Sequence, residues 1–165
     1  MKILVLSDSH SGLSFMRMCM LRVKPDAVVH LGDYFEDAEV LSEENPQTVI
    51  HRVPGNCDRY RCPPGAREVL AYPVCGVKLY MTHGHRHGVK LGREKLLADG
   101  RAMGVDAVLY GHTHIPDCHM EADGMWVLNP GTCATHSGTA GLILVENGKI
   151  TECRILRLSD LEDTL

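Results

Sequence analysis

Apolar residues in this chain gather in short runs that stop abruptly at glycine or a polar residue. The first, residues 2–7, is rich in Ile, Leu and Val and hardly alternates, the pattern of a strand buried on both faces. Residues 27–31, 48–53 and 106–110 are expected to be further strands. Between the first two runs the period lengthens. From Ser11-Gly12 to Lys24, Phe15, Met16, Cys19, Met20 and Val23 share one helical face, and Pro25 ends the stretch. A short acidic helix is expected over 35–44, with Asn45-Pro46 as a turn. Further on, hairpin signals dominate. Segments 67–72 and 76–82 meet at Cys75-Gly76, 117–122 and 125–129 at Asp123-Gly124, and 140–145 and 149–157 at Asn147-Gly148. One more helix is expected over 89–103, with Leu91, Leu96, Leu97 and Met103 turned to the core and Gly104 as its stop. The tail from Leu158 is acidic and is expected to fray. The order is βαβαβ followed by hairpins and one helix. An α/β fold of two mixed sheets packed face to face, with helices outside, accommodates it.

The residues that end five of these runs carry the chemistry. The runs lead into Asp8-Ser9-His10, Asp33, Asn56, His83 and His112-Thr113-His114. Two carboxylates, one amide and four imidazoles thus fall at the C-terminal ends of strands, where open α/β sheets bind ligands. A single Zn²⁺ would leave several of these donors over. The number suits two metal ions sharing one bridging ligand, the arrangement used for in-line displacement at phosphorus. Asp8 and His10, like His112 and His114, stand two apart, and extended backbone would put each pair on one face. Carboxylate and imidazole together suit Mn²⁺, Fe, Zn²⁺, Co²⁺ or Ni²⁺, with manganese the first expectation. Each motif alone is weak; the ordered set is strong.

That set, Asp8-x-His10, Gly32-Asp33, Gly55-Asn56-Cys57-Asp58, His83-Gly84-His85 and Gly111-His112-x-His114, resembles the calcineurin-like metallophosphoesterase superfamily. Small size and the Asn129-Pro130-Gly131-Thr132 turn resemble its compact YfcE-like phosphodiesterase branch, which is also similar to the retromer subunit Vps29. The resemblance implies a four-layer αββα sandwich with a dinuclear centre at the strand ends. It implies that Asp8, His10 and His114 hold one divalent ion, that Asn56, His83 and His112 hold the other, and that Asp33 bridges them. Hydrolysis of a phosphate ester, a diester more than a monoester, would follow by in-line attack of a bridging hydroxide. The Vps29-like alternative is a non-catalytic interaction scaffold.

Many larger members of the family carry His after the Asn; this chain has Cys57. A thiol is a poorer proton donor to a departing alkoxide, which points to esters with good leaving groups or to another acid among His85, His87, His119 and His136. Cys57, Asp58 and Arg59 are candidate substrate contacts, as are Arg61 and Arg86. The polar loop from Asn129 to Gly138 is expected to border the site. His30 lies inside an apolar strand and reads as a hydrogen-bonded structural residue; His51 reads as a strand residue with no catalytic part.

Composition narrows the function without changing the fold. The 165 residues make one domain, 1–165. A net charge of -4, with 5% aromatic residues and one Trp, excludes a sequence-independent binder of extended nucleic acid. No run is long enough to span a bilayer, and Met1-Lys2 opens no signal-peptide pattern, so a cytoplasmic location is expected. The seven cysteines form no CxxC pair and read as reduced small hydrophobes. The expected partner is a small phosphodiester; open sheet edges leave a homo-oligomer open.

Overall fold

The computed structural model describes residues 1–134 and 138–162. In chain order the elements are β1 (Lys2–Leu6), α1 (Leu13–Val23), β2 (Ala27–His30), α2 (Phe35–Glu44), β3 (Val49–Arg52), β4 (Val69–Val74), β5 (Val77–Thr82), α3 (Glu94–Met103), β6 (Ala107–Leu109), β7 (Asp117–Met120), β8 (Trp126–Asn129), β9 (Thr139–Glu146), β10 (Lys149–Arg157) and α4 (Leu158–Glu162). Single turns of 3₁₀ helix cover Asn56–Asp58 and His85–His87.

The strands form two five-stranded mixed sheets, ordered β10-β9-β1-β2-β3 and β4-β5-β6-β8-β7. Their inner faces meet in one apolar layer that includes Ile3, Val5 and Ile143 from the first sheet and Leu79, Leu109 and Leu128 from the second. α1, α2 and α4 cover the outer face of the first sheet through Met16, Leu41 and Leu161. α3 covers the second through Leu96 against Val108 and Val127. This is the expected four-layer αββα sandwich. Among the described residues no helix is long and apolar enough to cross a membrane.

Parallel pairing decides where the chemistry lies. β1 pairs with β2, and β2 with β3, all parallel; β5 pairs with β6, and β6 with β8, likewise. Parallel strands must end at the same edge. The segments after β1, β2 and β3 therefore emerge at one edge of the first sheet and those after β5 and β6 at one edge of the second. His83 Nδ1 at 2.8 Å from the Leu31 carbonyl and the His112 amide at 3.0 Å from Asp8 Oδ2 join the two edges, and these segments hold the seven expected donors.

Three local expectations are corrected. The helix expected over 89–103 starts only at Glu94. Gly88 adopts the left-handed φ of 68° after the 3₁₀ turn, which stops a helix from running through. Leu91 then lies in the irregular segment and is 97% exposed rather than in the core. Met103 is also exposed, on the last turn of α3, whereas Leu96 is fully buried as expected.

Candidate metal centre

The turns after the strands are wound in an unusual way. Asp8, His10, Asp33, His112 and His114 have φ of 53°, 41°, 58°, 68° and 61°. A non-glycine residue in this left-handed region costs on the order of 1 kcal/mol or more, and such residues cluster at functional sites. The backbone expected for the two pairs is therefore corrected: Asp8, His10, His112 and His114 sit on left-handed turns, not on extended backbone.

Two glycines permit the close approach. Gly32 has φ of 98° and sits so near Gly55 that a Cβ on either would strike backbone of the other loop. A Cβ on Gly55 would also run into Asp33 Oδ1. The loops carrying Asp33 and Asn56 are thus in direct contact.

Asp8, His10, Asp33 and His114 offer ligand atoms that all lie within 4.8 Å of one another. Asp8 Oδ1 and His10 Nε2 are buried and have no hydrogen-bond partner among the described residues. His114 Nε2 lies 3.0 Å from Asp8 Oδ1. Lone pairs gathered without donors are costly unless a cation sits among them. The second set has the same character. His83, wholly buried, faces the carbonyl of Leu31 with Nδ1 at 2.8 Å. A carbonyl only accepts, so Nδ1 carries the proton and Nε2 presents a lone pair. That lone pair points at Asn56 Oδ1, 3.1 Å away, and at Asp33 Oδ1, 3.5 Å away. Acceptor faces acceptor, an arrangement that a shared cation would satisfy. The His112 ring lies 5.1 Å from that of His83. Burial, with His83 and Lys90 adding to it, lowers the His112 pKa to about 4, so its imidazole is neutral and free to ligate at pH 7. Asp33 lies between the two sets, 3.9 Å from His10 Nε2 on one side and 3.5 Å from His83 Nε2 on the other. Burial opposes its charge, but His83, the Cys57 amide and thiol, and His10 outweigh this and hold its carboxyl below the ordinary range. The donor set fits divalent cations, and all seven expected donors come together.

The neighbouring residues fall into place differently. Asp58 was expected near substrate and is corrected to a structural role. It is wholly buried. Its Oδ2 accepts the Asp33 and Gly55 amides at 2.9 and 2.7 Å, and its Oδ1 accepts those of Tyr34 and Phe35 at 2.7 and 3.0 Å. Four N–H donors exhaust the carboxylate and lock the two ligand loops together. Cys57 is exposed beside Asp33, and its amide donates to Asp33 Oδ1 at 2.9 Å. Burial of the thiol, then the Asp33 charge, pushes its pKa up to about 11. Arg61 is paired with Glu36 and Arg86 with Glu68. Arg59 makes no ion pair among the described residues.

Of the histidines considered as acids, His87 sits between Tyr80 and Asp99, and His119 between Asp117 and Glu121. Both are occupied in structural contacts. His85 remains beside His83, ring centroids 5.4 Å apart. His136 lies outside the described residues. His51 bonds Tyr72 at 2.8 Å, a contact between the two sheets.

Sequence reasoning missed the residues that support the turns. Ser9 and Asp37 hold the first turn from below. Thr132 Oγ1 donates to the Asp8 carbonyl at 2.7 Å. Asn129 Nδ2 donates to the Gly111 carbonyl and to Thr113 Oγ1, bracing the His112–His114 turn. Asn129 and Thr132 carried a signal, as the two ends of the Asn129-Pro130-Gly131-Thr132 turn; a buried Asp in a helix's first turn looks like any acidic N-terminal residue.

Residues 1–148 match the calcineurin-like phosphoesterase superfamily domain. A probable metallophosphoesterase of Mycoplasma pneumoniae is 30% identical over 135 residues, covering 79% of this chain and 78% of that one. A phosphodiesterase of Methanocaldococcus jannaschii is 28% identical over 169 residues, covering 92% and 98%. Among solved structures, YfcE, a phosphoesterase of E. coli, superposes with a TM-score of 0.63 at 22% identity, covering 93% of this chain and 98% of that one. The zinc complex of Vps29 from Entamoeba histolytica superposes with a TM-score of 0.70 at 21% identity, covering 96% and 99%. The converging donors, the αββα layers and these matches lead to one conclusion: the chain belongs to the calcineurin-like phosphoesterase superfamily.

Proposed function

We propose that the protein is a metal-dependent phosphodiesterase with a dinuclear centre. Asp8, His10 and His114 hold one ion, Asn56, His83 and His112 hold the other, and Asp33 serves both. The observation that carries this is the unpaired state of the donors: buried Asp8 Oδ1 and His10 Nε2 without partners, and His83 Nε2 aimed at another acceptor. When bound, two divalent ions supply Lewis acidity and a hydroxide nucleophile at neutral pH. Manganese suits the mixed carboxylate and imidazole donors, and zinc, iron, cobalt or nickel would fit as well.

This chain's own residues contribute position and electrostatics. Leu31, through its carbonyl, fixes the His83 tautomer. Asp33 stays ionised between the two donor sets. Asp58 spends its charge on backbone amides and leaves none facing the site. Cys57 stays a neutral thiol at pH 7 and gives a leaving alkoxide little help. Diesters with acidic leaving groups are therefore the favoured substrates, in keeping with the phosphodiesterase among the relatives.

The test is Mn²⁺-stimulated hydrolysis of bis(p-nitrophenyl) phosphate, abolished by EDTA and by Asp33→Ala or Asn56→Ala. The likeness to Vps29 supports a second reading, an interaction scaffold on the same fold. Two tightly bound ions with no turnover of any diester or monoester would favour it.

A further inference from the structure

A polar cleft of about 570 Å³ opens beside Asn56 and His85, walled further by Arg59, Cys62, Glu68 and Arg86. It shares Asn56 with the expected ligand set. A larger cleft, about 700 Å³, runs past Thr113 and is lined by apolar residues such as Leu91 and Ile115 and by the charged Lys90, Arg93 and Asp117; none of the seven donors lines it. The polar cleft borders the donors directly through Asn56, and its His85 ring stands 5.4 Å from that of His83.

Its charges are unevenly spent. Asp58 is buried and saturated by four amides. Glu68 is taken by Arg86 through two contacts, 2.9 Å from Nε and 3.0 Å from Nη2. Arg59 has no carboxylate partner among the described residues; its guanidinium stands 5.5 Å from the Tyr60 ring. Of the two arginines that line the cleft, Arg59 alone has no ion pair among the described residues, and its planar N–H fork matches carboxylate and phosphate.

We propose that this cleft is a subsite for a phosphate ester whose alcohol portion carries a second anionic group, and that Arg59 recognises that group. The proposal rests on the phosphodiesterase reading for its substrate but is tested separately from it. Binding of methylphosphonate and of 3-phosphonopropionate to the Mn²⁺-loaded protein is measured by calorimetry. The second probe adds a carboxylate and is expected to bind about tenfold more tightly. Arg59→Gln should remove that gap, bringing the two probes to within about twofold of each other, and Arg59→Lys should keep part of it. Equal affinities for the two probes, no binding of either, or a gap that survives Arg59→Gln would overturn the proposal. A gap that depends on Arg59 in a protein without turnover would uphold the subsite and refute the phosphodiesterase reading; turnover without a gap would do the reverse.

Discussion

Ser9 donates a 2.7 Å hydrogen bond to the buried carboxylate of Asp37, and this bond ties α2 to the left-handed turn that carries Asp8 and His10. The same Asp37 oxygen accepts the Ser11 amide at 2.8 Å. The chain continues behind Ser9. The Gly32 amide donates to His30 Nδ1 at 3.3 Å, so the proton of His30 resides on Nε2, which lies 3.1 Å from Ser9 Oγ. One directional network thus links the Gly32-Asp33 loop to the Asp8–His10 turn without using a ligand atom.

Asp37→Ala should loosen that turn while α2 persists. Loss of such supporting bonds lowers metal affinity about 10–100-fold. Calorimetric Mn²⁺ titration of a variant with unchanged circular dichroism is the check, and undiminished affinity would show that the turn holds itself.

His30 makes stability depend on pH. Burial, the dominant cause, lowers its pKa to about 4 from an ordinary 6.5, so the folded protein holds it neutral while the unfolded chain protonates it. Between these values the unfolded state binds more protons, and stability falls as pH falls. The contribution is complete above about pH 6.5 and gone below about pH 4, a loss of roughly 3 kcal/mol. Urea unfolding of metal-free protein at pH 7 and pH 4.5 should show a steeper decline for the wild type than for His30→Asn. Parallel declines would rule out His30 as the source.

Gly55→Ala places a methyl group against Asp33 Oδ1 and the Asp33 amide. Overpacking of this kind costs about 1–3 kcal/mol, and here the group displaced belongs to the donor set. The variant should bind fewer than two equivalents of metal, measured by elemental analysis after dialysis. Full occupancy would mean that the two loops separate without disturbing Asp33.

Cys57 predicts a leaving-group effect. With the thiol held neutral and no imidazole at its position, hydrolysis of aryl alkyl phosphates should slow steeply as the leaving phenol becomes more basic. Cys57→His should flatten that slope. A shallow dependence in the wild type would reveal a competent acid elsewhere, with His85 the nearest described candidate.

Much of this was legible in the chain itself. β1, β2, β3 and the Cys75-Gly76, Asp123-Gly124 and Asn147-Gly148 hairpins stand where their patterns put them, because strand burial and turn chemistry are local properties. Leu91 shows the limit. Its spacing fits a helical face, yet Gly88 and Gly92 on either side keep the segment out of a helix and leave Leu91 in solvent. Asp58 shows another: beside the expected donor Asn56 it looks like a substrate contact, and only the return of the Asp33 loop, 25 residues earlier, supplies the amides that claim it.

By itself the sequence determined which donors exist and that each follows a strand, since apolar run and polar ending are both written in adjacent residues. Only the tertiary structure decided that Asp8, Asp33, Asn56, His83 and His112 meet, which donors remain unpaired among the described residues, and that Asp37 and Asp58 are spent on the fold. The reason is that pairing is a matter of distance between segments far apart in the chain, fixed by parallel strand register and by close approaches such as Gly32 on Gly55.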